Sequence, residues 1–224
     1  MHIPLSKRLQ RCADYIGTVG RVADIGCDHG YLGISLLKRN QARSVIAADI
    51  RPMPLQAAKE NAKRFGFETQ MEFFLSDGAA AIPRDFDVMV CAGMGADTIV
   101  SILENAAWLK STSYRLILQC QSKTAMLRKY LNDNGFSITR ESALKDGRFL
   151  YTVMEVVFHQ EAPFTPGQCY FSPALAKEQT EENIAYYRQV VVRLERAVAG
   201  QKETADPTMV AALQELKENA YDNR

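Results

Sequence analysis

The sequence predicts an α/β fold: a mostly parallel sheet of seven strands that ends in an antiparallel hairpin, with helices on both faces and a helical hairpin appended. Three observations predict it. Short apolar runs alternate with helical-period segments from Arg21 to Leu131. Two strand-like segments then flank Lys145-Asp146-Gly147-Arg148, and Asp-Gly between strands is a hairpin signal. Beyond Pro173, apolar residues recur at steps of three and four.

The elements follow in order. Leu5, Leu9, Cys12 and Ile16 share one helical face and open the chain with an amphipathic helix. Arg21–Ile25 reads as a buried strand, Tyr31–Lys38 as a helix and Ser44–Asp49 as a second strand. Pro52–Phe65 is a helix with prolines in its first turn, where a missing N–H costs least. Met71–Leu75 and Phe86–Cys91 are strands, Ala96–Leu109 a helix, Tyr114–Gln119 a strand and Lys123–Leu131 a helix. Phe136–Leu144 and Phe149–Phe158 form the hairpin.

The stretch 161–173, rich in Pro, Gly, Phe and Gln, reads as a loosely packed linker between a domain of residues 1–160 and a unit of residues 174–224. In that unit Ile184, Tyr187, Val191, Leu194 and Val198 make a heptad seam. Asp206-Pro207 is an N-cap with proline at the first helical position, and Met209, Leu213, Leu216 and Ala220 give a second seam. An antiparallel helical hairpin of coiled-coil type is the expected product.

Composition narrows the function. No apolar run reaches the length of about 18 residues that a membrane span needs, and the charged N-terminus makes a poor secretory signal. The five cysteines are odd in number and scattered, and the three histidines show no ligand spacing. A reduced, cytoplasmic protein without a metal is expected. The net charge of +1 announces no nucleic-acid binder, but Lys7, Arg8, Arg11 and Arg21 face only Asp14 in the first 21 residues. That cluster suits a phosphate-bearing substrate, or simply a solvated helix face.

The loop after the first strand, Asp24-Ile25-Gly26-Cys27-Asp28-His29-Gly30, carries the chemical signal. Its glycines do not fit the dinucleotide fingerprint. They fit an acid-x-G-x-G-x-G pattern whose middle glycine is Asp28. Two carboxylates there would repel a pyrophosphate and attract a sulfonium or ammonium, which favours S-adenosyl-L-methionine over NAD. The plainer alternative is that Asp24 and Asp28 only cap the next helix. Asp49, at the end of the second strand, can take both ribose hydroxyls, and Asp77 with Gly78, after the third, can meet an adenine amino group. Each alone is an ordinary turn residue. Three acids at the ends of successive parallel strands line one crevice. The fourth strand runs into Cys91-Ala92-Gly93-Met94-Gly95, a loop that leaves room for a stacked planar ring or simply turns the chain into the next helix.

These residues resemble a known family, the bacterial tRNA (adenine(22)-N1)-methyltransferases, which are class I methyltransferases with a Rossmann-like sheet. The resemblance rests on Leu5-Ser6-Lys7-Arg8-Leu9, Asp24-Ile25-Gly26, Asp28-His29, Tyr31-Leu32, Asp77-Gly78, Ala92-Gly93-Met94-Gly95, Leu116–Gln119, Leu127-Arg128 and Asp146-Gly147. It departs from the family at Ala96, at Gln119-Cys120-Gln121 and at Asp49-Ile50-Arg51-Pro52. The resemblance implies methyl transfer to N1 of an adenine in tRNA, with Asp28 and Arg8 catalytic. It implies a cofactor site of Asp24, Gly26, Asp28, His29, Gly30, Asp49, Ile50, Asp77, Gly78, Ala92, Gly93 and Met94. Substrate contacts are expected from Lys7, Arg8, Arg11, Gly95 and Gln119, and from Arg188 and Arg193 with Lys177 and Arg196 on the C-terminal helices. A monomer or weak dimer is expected. The alternatives are a methyltransferase for a small molecule or protein, and a non-catalytic relative that binds S-adenosyl-L-methionine or RNA.

Overall fold

The computed structural model describes residues 3–201 and 204–221. The ends of the expected C-terminal unit, 222–224, and the junction at 202–203 lie outside the described residues. Seven strands form one sheet: β1 (Arg21–Ile25), β2 (Ser44–Asp49), β3 (Met71–Leu75), β4 (Val88–Met94), β5 (Arg115–Cys120), β6 (Phe136–Asp146) and β7 (Phe149–Phe158). Their order is β3-β2-β1-β4-β5-β7-β6. Strands β1 to β5 pair in parallel, and β7 runs antiparallel to both β5 and β6. The helices are α1 (Lys7–Ile16), α2 (Tyr31–Lys38), α3 (Pro52–Phe65), α4 (Ala96–Glu104), α5 (Thr124–Asp133), α6 (Pro166–Tyr170), α7 (Pro173–Ala176), α8 (Glu181–Gln201) and α9 (Pro207–Glu218).

Strands covered on both faces read as unbroken apolar runs, and β2 and β5 are buried almost throughout. The pleat sorts their residues to opposite sides. Met89, Cys91, Leu116 and Leu118 join a core with α4 and α5, whereas Val88, Val90 and Ile117 join one with α1, α2 and α3. Ser6 caps α1 by accepting from the Leu9 N–H, and the guanidinium of Arg115 donates to the carbonyls of Tyr15 and Ile16 at its other end. Strand order reverses between β1 and β4, and α/β folds bind ligands beside such a switch, at the C-terminal ends of the strands.

Element boundaries differ from expectation most at β4, at α4 and in the hairpin, while β5 and α5 shift by one or two residues. β4 starts at Val88 rather than Phe86 and runs on to Met94, with its register shifting at Gly93 (φ +81°). Asp87 precedes it and accepts from the N–H groups of Gly20 and Arg21, so its side chain serves the β1 entry. The helix expected to reach Leu109 ends at Glu104, and Ala107–Leu109 is a separate 3₁₀ turn. In the hairpin, Lys145 and Asp146 pair with Leu150 and Phe149, so the loop is only Gly147-Arg148. Gly147 takes φ +61° at the first loop position, where a II′ turn requires glycine.

The stretch 161–173 is not loosely packed. Thr165-Pro166-Gly167-Gln168 is a capping box that starts α6. Asn132 donates to the Ala162 carbonyl and accepts from the Phe164 N–H, and Arg128 donates to the carbonyls of Cys169 and Tyr170. Composition suggested a linker because the cap residues are also turn residues.

On α8 the buried residues are Asn183, Tyr186, Tyr187, Val190 and Leu194. Ile184 and Val191 of the expected seam are only partly buried, because α8 packs on β6 and β7 as well as on α9. Asn183 fixes the junction: it accepts from the Ala143 N–H of β6 and donates to the Leu175 and Glu178 carbonyls. The Tyr187 hydroxyl donates to the Leu216 carbonyl, so α9 lies back along α8. No helix among the described residues is long and apolar enough to cross a membrane.

Candidate active site

A cleft of about 810 Å³ opens at the C-terminal ends of β1 to β4. Five aspartates line it: Asp24, Asp28, Asp49, Asp77 and Asp97. Asp24, next to last in β1, is 5% exposed and accepts no hydrogen bond among the described residues. Burial, reinforced by the negative charges of Asp49 and Asp28, pushes its carboxyl up from 3.8 to about 7. Asp49 is equally buried but partnered. Its two oxygens accept from the N–H groups of Asp28 (3.2 Å) and Arg51 (2.9 Å).

The β1–α2 loop owes its shape to three residues in the left-handed region: Gly26 (φ +71°), Asp28 (φ +49°) and Gly30 (φ +71°). Asp28 therefore stands where glycine is conformationally favoured, and an aspartate tolerates that backbone better than most residues. Its carboxylate is largely exposed in the cleft, 3.8 Å from His29 Nε2. A Cβ on Gly26 would run into Met94 Cε, so the glycine lets the β4 loop approach. A Cβ on Gly30 would meet Ala58 of α3 at 3.0 Å. Gly30 thus serves α2–α3 packing and does not line the cleft.

The opposite wall is built on β5. Gln119 is fully buried; its Oε1 accepts from the Gly93 N–H (3.1 Å) and from Arg8 Nη1 (3.3 Å). Arg8 is further held by Asp146 at 2.9 Å and lies 4.9 Å from the centre of the Tyr151 ring. One arginine on α1 is thereby fixed to β5, β6 and β7 and lines the cleft.

The cleft gathers Arg8, Asp24, Gly26, Asp28, His29, Asp49, Ile50, Asp77, Gly78, Ala92, Gly93, Met94 and Gln119 of the expected site. It does not gather the others. Lys7 is exposed outside it, and Arg11 donates to the Ser142 hydroxyl on β6. Gly95 is the N-cap of α4, close against Ser122. Arg188 and Arg193 lie exposed on α8, far along the chain's C-terminal unit, and Arg193 borders a different cavity. Lys177 borders a third cavity, between α7 and α9, and Arg196 is exposed on α8.

Sequence reasoning missed Ser6, Ser76, Asp97, Thr98, Ser101 and Gln121, which also line the cleft. Asp97, Thr98 and Ser101 share one face at the start of α4, so polar residues at helical spacing behind the glycine loop were the available signal. The Arg8–Asp146 pair spans 138 residues and left no local signal.

The donor set favours a cation. An unpartnered, buried carboxylate beside two more calls for a positive or hydrogen-donating ligand group, and a pyrophosphate would be repelled. The left-handed glycine at 26 and the close Met94 make a floor without side-chain bulk. These features fit S-adenosyl-L-methionine, which carries a sulfonium, an ammonium and a ribose.

A methyltransferase-domain family model matches residues 5–154. The tRNA (adenine(22)-N(1))-methyltransferase of Bacillus subtilis is 31% identical over 153 residues, which are 68% of this chain. The matched stretch spans 64% of that enzyme's length. A Streptococcus pneumoniae protein assigned as a tRNA (m1A22) methyltransferase has a solved structure with a TM-score of 0.86 and 30% identity, covering 96% of this chain and 99% of that one. A second structure of it, in complex with S-adenosyl-L-methionine, has a TM-score of 0.84. With the family model spanning most of the sheet and the Streptococcus structure matching end to end, the chain belongs to the methyltransferase-domain family, in its tRNA (adenine(22)-N1)-methyltransferase branch.

Proposed function

We propose that this protein transfers the methyl group of S-adenosyl-L-methionine to N1 of an adenine in tRNA, at position 22 by kinship with its relatives. The observation that carries the reading is Asp28: a carboxylate held in a glycine-type conformation, inside the cleft that Arg8 and Gln119 also line.

In this reading Asp24 and Asp28 face the cationic end of the cofactor, Asp49 its ribose hydroxyls, and Asp77 with Gly78 its adenine. Ile50, 60% exposed at the cleft, covers the base. Gly26, His29, Ala92, Gly93 and Met94 form the walls, while Gly30 and Gly95 hold the backbone behind them. Bound there, the cofactor supplies an electrophilic methyl group.

The acceptor nitrogen has a free lone pair at neutral pH, so no general base is required and positioning dominates. The methylated base is a cation, and Asp28 stabilises the charge that develops on it. Arg8 is pre-ordered by Asp146, Tyr151 and Gln119, so it orients the acceptor without losing side-chain freedom at that moment. Because N1 lies on the Watson–Crick edge, the base enters unpaired or extruded. Lys7 and Arg11 serve tRNA phosphates beside α1, and Arg188 and Arg193 serve them on α8. Residues 1–160 thus carry the chemistry and 174–224 lean on the tRNA across 161–173, in a cytoplasmic monomer or weak dimer.

Incubation with methyl-labelled S-adenosyl-L-methionine and unmodified tRNA, followed by nucleoside analysis, tests the reading. Label in 1-methyladenosine is expected. Label elsewhere, or none, overturns the assignment of the acceptor.

A further inference from the structure

A second cavity, of about 580 Å³, lies between the start of α5, the β6–β7 hairpin and α8. Its chemistry is the inverse of the cleft's. The cleft presents five aspartates, whereas no carboxylate lines the second cavity among the described residues. Aromatic rings line it instead, including Phe149, Tyr151 and Tyr170, together with the cations Lys123 and Arg193. Arg193 is exposed and makes no hydrogen bond or ion pair among the described residues. Lys123 reaches Asp97 at 2.9 Å, but both are more than half exposed, so that pair holds the ammonium weakly.

The two spaces share a thin wall. Gln121 lines both. Tyr151 lines the second cavity and carries on its ring the guanidinium of Arg8, which lines the first. Phe149 is 48% exposed at the hairpin tip, with its ring centre 6.1 Å from that of Tyr151. Aromatic faces with cations beside them take a planar ring that carries a phosphate, and such stacking is how single-stranded nucleic acid is held. Extruding a base also strips its neighbour of one stacking partner. A platform one side chain away from the methylation cleft replaces it.

We propose that this cavity holds the nucleobase adjoining the methylated adenine in the RNA strand, stacked on Phe149 and Tyr170, with Lys123 and Arg193 on the phosphate. The inference rests on the reading of tRNA as substrate, and it goes beyond it by giving the hairpin tip and α8 a shared site.

The test uses the full chain and tRNA transcripts with 2-aminopurine on the 5′ or the 3′ side of the methylated adenine. Wild-type protein is expected to quench one of the two. Phe149→Ala is expected to remove the quench and raise KM for tRNA roughly tenfold, with cofactor affinity within twofold of wild type. An abasic nucleotide at the quenched position is expected to raise the wild-type KM by a similar factor and to add nothing to Phe149→Ala. Arg193→Gln, on the solvent side of α8, is expected to lower the salt slope of tRNA binding by about 1. No quench at either position, or a Phe149→Ala KM within twofold of wild type, overturns the stacking site, whatever else the cavity binds. A wild-type protein that methylates no tRNA overturns the reading of the substrate instead.

Discussion

The backbone N–H of Asp28 donates to Asp49 Oδ2 at 3.2 Å, across 21 residues, and so ties the β1–α2 loop to the end of β2. Asp28 sits at φ +49°. A side chain there costs on the order of 1 kcal/mol relative to glycine. Stability and activity should therefore part at this position. Asp28→Gly is expected to leave the protein as stable as wild type or up to about 1 kcal/mol more stable, and to lower methyl transfer by at least tenfold at saturating cofactor. Asp28→Ala is expected to lose activity similarly without the stability gain. Thermal unfolding and single-turnover rates check both, and a fully active Asp28→Gly would remove the carboxylate from the mechanism.

Asp24 gives the protein a pH signature. Its carboxyl is raised from 3.8 to about 7 by burial and by its acidic neighbours, so the folded chain binds that proton more tightly than the unfolded chain. The stability it contributes is complete below about pH 4 and is lost as pH rises through about 7. Asp24→Asn is expected to gain stability over wild type between pH 6 and 8, and to show no advantage at pH 4. A cationic ligand prefers the ionised form, so cofactor affinity of wild type is expected to rise over the same window, with proton release on binding. Melting curves and calorimetry in buffers of different ionisation enthalpy measure both. A cofactor affinity that is flat with pH would take Asp24 away from the cationic group.

How far the sequence could be read depended on the range of the interactions. β1 and β2 were legible because buried strands are continuous apolar runs, the edge strand β3 because Met71, Phe73, Phe74 and Leu75 are apolar, and each acid because it lies at or just beyond the end of its own strand. The capping box of α6 was hidden, since Thr, Pro, Gly and Gln spell a turn as readily as a helix start. Arg8 was legible as a cation and not as a positioned one, because Asp146, Gln119 and Tyr151 reach it only through the folded sheet. The seam on α8 was misplaced by a fraction of a turn, because heptad spacing describes two helices alone and α8 also rests on β6. The second cavity had no sequence signal, as its walls come from α5, β7, α6 and α8.

Arg128 on α5 fastens the C-terminal unit. Its side chain and that of Glu141 on β6 are both fully buried and meet at 2.7 Å. The guanidinium also donates to the carbonyls of Cys169 and Tyr170 and to the Tyr186 hydroxyl, and the Ser172 hydroxyl donates to Glu141. Removing one partner strands a buried charge, at a cost of about 3–5 kcal/mol. Arg128→Met is expected to lose that much stability, and Arg128→Met with Glu141→Leu to recover part of it. Denaturant unfolding measures the difference. Equal losses in the single and double variants would show that the carbonyl and hydroxyl partners, not the ion pair, dominate.

Gly26 answers to two constraints that can be separated. Its φ of +71° disfavours any side chain, and a Cβ would also collide with Met94 Cε. The methionine tip can move, whereas the backbone angle is fixed by the hydrogen bonds that the Gly26 and Cys27 N–H groups donate to the Ala48 carbonyl, at 2.8 and 2.9 Å. Gly26→Ala is expected to cost about 1 kcal/mol in stability from the backbone alone, and to weaken the cofactor at least tenfold as Met94 is driven into the cleft. Adding Met94→Ala removes the collision and leaves the strain, so it should restore cofactor affinity to within a few-fold while stability stays low. Isothermal titration and unfolding of the two variants decide it. Cofactor affinity that does not return in the double variant would mean that the floor of the cleft is set by the loop backbone and not by the space Met94 leaves.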